Sequence, residues 1–260
     1  MKYIDIGINL MHKSFNEDRE KVVKTAETAG VSPLIITGTS ERSSREAAQY
    51  AALMPNKLYS TVGVHPHDAK SCNGQTIPQL RQIAGQKAVV AIGECGLDYN
   101  RDFSPRDVQR KWFEKQIQLA AELRLPLFLH ERDAFEDFST MLQTYAQQVS
   151  GMVVHCFTGT DKELDRYIEL GCYIGITGWI CDERRGTHLA ELVKHIPADR
   201  LMIETDAPFL APRDMGNIQR NEPKYLPHIA EVIARHLKKT TEQTAAETYA
   251  NTCRFFGIVE

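Results

Sequence analysis

Residues 89–94 read Val89-Val90-Ala91-Ile92-Gly93-Glu94, a short apolar run that ends on a carboxylate. Such a run reads as a buried strand, and a carboxylate at its end is costly to bury unless an arginine or a cation meets it. Working outward, seven further β-branched or apolar runs occur at 3–10, 34–37, 58–64, 127–129, 152–154, 173–176 and 201–203. All but the last are followed by turn residues and a helical pattern; 201–203 leads into a long loop before its helices. Strand and helix in repeated alternation imply a parallel sheet. Eight units of about 32 residues match the roughly 250-residue size of a (β/α)8 barrel. An open doubly wound sheet is the weaker alternative, because no G-x-G-x-x-G or G-x-x-x-x-G-K-[ST] loop is present and a count of eight fits closure. The expected fold is α/β, a single (β/α)8 TIM barrel. With no linker, low-complexity tract or charge block, residues 1–260 are expected to form one domain.

Local signals mark helix ends. Ser104-Pro105-x-Asp107 reads as an N-cap, a proline at the first helical position and an early acid, followed by an inward stripe of Val108, Trp112, Leu119 and Leu123. Thr160-x-x-Glu163 is a capping box for a helix ending at Gly171, Gly30 closes the first helix, and 225–256 reads as the final helices. At 42% hydrophobic and 25% charged, the composition is that of a soluble globular domain with a full core. Lys plus Arg is 31 against 34 Asp plus Glu, a net charge of −3. No overall positive field therefore recruits nucleic acid or an anionic membrane, and any polyanion binding must be local. No apolar run approaches the roughly 20 residues needed to cross a bilayer, and 1–10 lacks a basic-then-apolar signal pattern, so a cytoplasmic protein is expected. The six cysteines contain no C-x-x-C pair and read as reduced thiols, mostly core filler.

His65, Glu94, His130, His155 and Asp206 each fall at or within two residues of the C-terminal end of an expected strand. In a barrel those ends converge on one face, where active sites form. Any one of these histidines alone reads as a hydrogen-bonded core or loop residue; their joint placement with two carboxylates points to divalent metal chemistry. Glu204 lies on the same side of its strand as Asp206, so one of that pair is expected to be structural. His130-Glu131-Arg132-Asp133-Ala134 starts like H-E-x-x-H but has Ala134 where the second histidine belongs, which leaves Glu131 as a solvated loop residue. Asp182-Glu183-Arg184-Arg185 is either a solvated helix approach or a phosphate clamp. Beside Trp179 it has the aromatic-plus-arginine character that single strands use for stacking and backbone contact.

At these positions the chain resembles the TatD-type metal-dependent deoxyribonucleases, a branch of the amidohydrolase-like barrels. Gly63-Val64-His65-Pro66-His67, Ile92-Gly93-Glu94-Cys95-Gly96-Leu97-Asp98-Tyr99, His130-x-Arg132-Asp133-Ala134, His155-Cys156-Phe157-Thr158-Gly159 and Glu204-Thr205-Asp206-Ala207-Pro208 are similar to that family's successive strand-end motifs, in the same order. The likeness runs from the first strand to Arg220-Asn221-Glu222-Pro223. It implies that Glu94, His130 and His155 bind metal and that Asp206 completes the site. Many members carry Asp-x-His-x-His on the first strand; here it reads Asp5-Ile6-Gly7-Ile8-Asn9, and both histidines are absent. That variant, with residues 176–186, is similar to the branch from which the family takes its name.

The resemblance implies a cytosolic 3′-to-5′ exonuclease on single-stranded DNA and RNA, dependent on Mg2+ or on Mn2+ or Zn2+, serving repair or RNA turnover. In the expected mechanism Glu94, His130 and His155 hold the ion, Asp206 takes the proton of the attacking water, and His65 contacts the scissile phosphate. Trp179, Arg184, Arg185, Arg213 and Arg220 bind the rest of the strand. One well-held ion is expected, because Gly7 has no side chain and Asn9 is a poor ligand. No membrane or obligate protein partner is expected. The competing readings are an amidohydrolase acting on a C–N bond and a non-catalytic barrel with a structural metal.

Overall fold

A computed structural model describes residues 1–184 and 186–259. Among the described residues, eight strands and nine α-helices alternate. The strands are β1 (Tyr3–Ile8), β2 (Val31–Ile36), β3 (Leu58–Val62), β4 (Val89–Asp98), β5 (Leu127–Arg132), β6 (Met152–Val154), β7 (Tyr173–Ile176) and β8 (Leu201–Ile203). The helices are α1 (Arg19–Thr28), α2 (Glu41–Ala52), α3 (Thr76–Ala84), α4 (Arg106–Leu123), α5 (Phe135–Tyr145), α6 (Asp161–Glu169), α7 (Thr187–Leu192), α8 (Leu226–Leu237) and α9 (Thr241–Phe256). Each strand pairs in parallel with its successor. The ring closes where Ile8 bridges Ala207, and where Asp206 N donates to Gly7 O at 2.9 Å and Asn9 N to Ala207 O at 2.8 Å. This is a (β/α)8 barrel, and closure excludes the open sheet.

Strand β4 continues well past the apolar run that announces it. Gly93 and Gly96 adopt φ of +141° and +149°, and a Cβ on them would stand 2.1 Å from Phe128 O and 1.8 Å from His130 O. Only glycine lets β4 press this closely on β5 and keep pairing to Asp98. Helix α4 also differs from expectation. Pro105 is its flanking residue, and Ser104 makes no cap; its hydroxyl donates to His67 O (2.8 Å) and accepts from Lys70 N (3.0 Å). The Thr160–Glu163 capping box is present, and Gly30 and Gly171 sit at φ +82° and +81° just beyond α1 and α6.

The largest apolar cluster lies between the strands and the surrounding helices. A second fills the barrel interior, where Ile4, Ile6, Ile35, Val90, Phe128, Val153 and Met202 meet Cys253, Phe256 and Ile258. Helix α9 thus crosses the N-terminal end of the barrel: Asn251 Nδ2 donates to Ala198 O and Leu201 O (2.8 Å each), and the Phe255 ring lies 5.0 Å from that of Tyr173. The opposite end, at the C-termini of the strands, stays open. No helix among the described residues is long and apolar enough to cross a membrane.

Candidate active site

The open end holds a cavity of about 630 Å3 lined by residues from every strand end. Glu94 is at its centre. Its Oε1 lies 2.9 Å from His155 Nε2, 3.0 Å from His130 Nδ1 and 3.3 Å from His65 Nε2. Burial opposes ionisation of Glu94, but His155, His65 and His130 outweigh it and hold the carboxyl well below its usual range.

Hydrogen bonding divides the three imidazoles. The second nitrogen of His130, Nε2, lies 3.2 Å from Asp98 Oδ2, and that of His155, Nδ1, lies 3.3 Å from Glu204 Oε2. In each case the outer carboxylate can take an N–H, so that when the proton between the ring and Glu94 leaves, the nitrogen facing Glu94 is free to ligate, the usual support for a metal-ligating histidine. His65 is built the other way. Its Nδ1 accepts from His67 N at 3.1 Å, so in the neutral ring the proton sits on Nε2 and points at Glu94. Burial pushes His65 down to about 4, with Glu94 opposing, and keeps the ring neutral. The ligand atoms of His65, Glu94 and His130 lie within 4.8 Å of one another, so these three could hold an ion, and His155 Nε2 stands beside them, 2.9 Å from Glu94 Oε1.

Four carboxylates, from Glu94, Asp98, Glu204 and Asp206, surround these rings. Burial opposes charge on His130 and His155, but Asp98 and Glu94 raise the first, and Glu94 and Glu204 raise the second well above its ordinary value. Protons thus hold the place of a cation, and the nitrogen and oxygen donors fit a divalent ion. Glu204 is the structural member of the Glu204/Asp206 pair. It is fully buried, accepts from Cys156 N at 2.6 Å, and fills the space beside Gly7, where a Cβ would stand 2.5 Å from its Oε2. Asn9 Nδ2 donates to Asp206 Oδ1 at 2.9 Å, so the first strand positions the aspartate. Loss of water around Asp206 pushes its carboxyl up to about 7; His155 opposes the rise, and Glu94 and Glu204 add to it.

The proposed strand-binding residues separate. Trp179, half-buried, lines both the main cavity and an adjoining one of about 390 Å3 bordered by Asp182 and Arg213. Arg184 and Arg213 both pair with the Asp182 carboxylate, at 3.2 and 3.3 Å. Arg185 lies outside the described residues. Arg220 is not part of the cavity: it binds Asp18 with two nitrogens (2.9 and 2.7 Å), Glu222 (2.8 Å) and Ser14 O (2.6 Å), and lies over the Phe15 ring. Its two terminal nitrogens tie the loop after β8 to the chain before α1, where a phosphate contact was expected. Glu131, expected as a solvated loop residue, lies in β5, accepts from Ala134 N at 2.7 Å, just before α5, and from the Tyr167 hydroxyl at 3.1 Å.

Several site residues escaped the sequence reading. Asp98 stands four positions after Glu94, an even spacing that puts both on one side of an extended strand, and its Oδ2 also lies 2.6 Å from His67 Nε2. Arg101 and Arg132 line the cavity. Phe209, in the cavity wall, and Phe103, edge-on to His67, are 49% and 55% exposed, unusual for phenylalanine and suited to stacking on a ligand.

A parallel eight-stranded barrel with histidines and carboxylates gathered at its C-terminal mouth defines the class of (β/α)8 barrels with a candidate metal site at the strand ends. Within that class the chain belongs to the family described as TatD related DNase, whose profile matches residues 4–257. A Rahnella sp. protein named 3'-5' ssDNA/RNA exonuclease TatD is 51% identical over 257 residues, 98% of each chain. A Pantoea sp. protein of the same name is 49% identical over 98% of this chain and 99% of its own. The crystal structure of a TatD homologue from Escherichia coli K12 superposes with a TM-score of 0.91 at 26% identity, covering 99% of this chain and 98% of that one.

Proposed function

We propose that residues 1–260 act as one catalytic domain, a 3′-to-5′ exonuclease that hydrolyses terminal phosphodiesters of single-stranded DNA and RNA. The observation that carries this reading is the set of polarised ligands at the mouth, His130 and His155 turned toward Glu94 by Asp98 and Glu204, in a chain half identical to proteins named as such exonucleases. Glu94, His130 and His155 would hold a divalent ion, Mg2+ first and Mn2+ or Zn2+ as alternatives, whose chemistry there is to polarise a phosphoryl oxygen and acidify water. With Gly7 and Asn9 committed to Glu204 and Asp206, one ion is held well. Asp206 accepts the proton of the attacking water, a task suited to a carboxyl raised toward neutrality. His65 Nε2–H, aimed into the cluster, donates to a phosphate oxygen. Arg101 and Arg132 take neighbouring phosphates, Arg184 and Arg213 those further along, and Trp179, Phe209 and Phe103 stack on bases. A cavity of about 630 Å3 open to solvent has room for the end of a single strand. Six cysteines with no C-x-x-C pair suit a reducing, cytoplasmic compartment.

The test is to incubate chelator-stripped protein with 5′-labelled single-stranded DNA and RNA, with and without Mg2+, Mn2+ or Zn2+. A ladder shortening from the 3′ end, only with metal, is expected. Intact oligonucleotides under all three ions, with turnover of an amide or hydantoin panel, would overturn the reading in favour of C–N hydrolysis.

A further inference from the structure

We propose a second metal site, outside the active site, in which Cys181, Asp214 and His228 hold a Zn2+ ion. The three residues come from separate segments: Cys181 ends the helical turn Gly178–Cys181 that follows β7, Asp214 lies in the turn Arg213–Met215, and His228 is in the first turn of α8. One ligand atom from each lies within 4.8 Å of the others, and His228 Nε2 is 2.8 Å from Asp214 Oδ2.

The chemistry of the donors selects the ion. Sulfur, imidazole nitrogen and carboxylate oxygen together suit Zn2+ and not Mg2+, which demands oxygen ligands; three protein donors also leave a fourth position for water. Cys181 is buried at the edge of the main apolar cluster, and its Sγ lies within 4.8 Å of a ligand atom on exposed Asp214 and on half-buried His228. A nucleophilic role does not fit, since burial pushes the thiol up to about 12 with Asp214 adding to the rise. On binding, the Cys181 S–H bond breaks as the zinc–sulfur bond forms, and the proton goes to solvent; no electron is transferred. The ion would tie together the turn that carries Trp179, the turn that carries Arg213, and α8. The first two of these segments line the cavity beside the active site, so zinc would fix Trp179 and Arg213 relative to each other.

Chelator-stripped protein titrated with Zn2+ alone tests the site without reference to nuclease activity. The wild type should bind one equivalent more than each of Cys181→Ser, Asp214→Asn and His228→Ala. With Co2+ as the probe, a thiolate-to-cobalt charge-transfer band should appear, vanish in Cys181→Ser and His228→Ala, and persist in Cys156→Ser, the cysteine that lines the main cavity. Equal zinc content in the wild type and the three variants, no thiolate band, or a band abolished by Cys156→Ser and kept by His228→Ala would overturn the proposal. Asp214 is exposed and His228 half-buried, so their variants keep the experiment decisive if Cys181→Ser does not fold.

Discussion

Each imidazole around Glu94 Oε1 has its second nitrogen committed to a neighbour, and that neighbour decides what the first nitrogen can do. Glu94→Gln should therefore lose the ion and turnover together, falling below about a tenth of the wild-type rate. His65→Gln should keep the ion and lose at least about tenfold in rate. Metal titration and initial rates on the same preparations check both; loss of the ion in His65→Gln would make His65 a ligand. Asp98→Asn keeps the shape but weakens the grip on the His130 N–H, and should lower metal affinity by about 10–100-fold. Because nearby carboxylates raise His130 and His155, protons compete with the cation. Affinity should rise with pH, and calorimetry in buffers of different ionisation enthalpy should show proton release. At this scale the sequence exposes the candidate ligands, since a carboxylate or histidine closing an apolar run stands out. It conceals His65's tautomer, which depends on a backbone N–H two residues away, and Arg220's partner Asp18, 202 positions away.

At the scale of the element, β4 carries the site through two glycines whose missing side chains are replaced by the carbonyls of β5. Gly96→Ala places a Cβ inside van der Waals contact of His130 O and a residue at φ +149°. A loss of at least about 2 kcal/mol is expected from strain and overpacking together. Chemical denaturation measures it, and a stability within about 0.5 kcal/mol of wild type would show that β4 and β5 can separate. The apolar runs locate all eight strands, because parallel strands buried on both faces read as continuous hydrophobic stretches. They understate β4, where Gly93, Glu94, Gly96 and Asp98 break the pattern that marks a strand. They also misplace Ser104, whose hydroxyl finds the backbone of the loop before α3 instead of its own helix.

On the scale of the whole molecule, Arg220 joins the loop after β8 to the segment before α1, across the seam where the barrel closes. Arg220→Ala should lower stability by about 1–3 kcal/mol through lost charge-assisted hydrogen bonds and leave oligonucleotide affinity unchanged. Thermal melts and anisotropy titrations separate the two effects, and a weakened strand affinity at unchanged melting temperature would return Arg220 to substrate binding. Helix α9 acts at the opposite end, where Cys253, Phe256 and Ile258 complete the apolar cluster inside the barrel. During synthesis the chain leaves the ribosome from its N-terminus, so all eight strands emerge before the residues that plug them. Until α9 is free of the exit tunnel, the aliphatic lining of the nascent barrel has no cover. Emergence of α9 from the exit tunnel then becomes the event that commits these strands to the barrel, and a chaperone has its longest claim on them just before that moment.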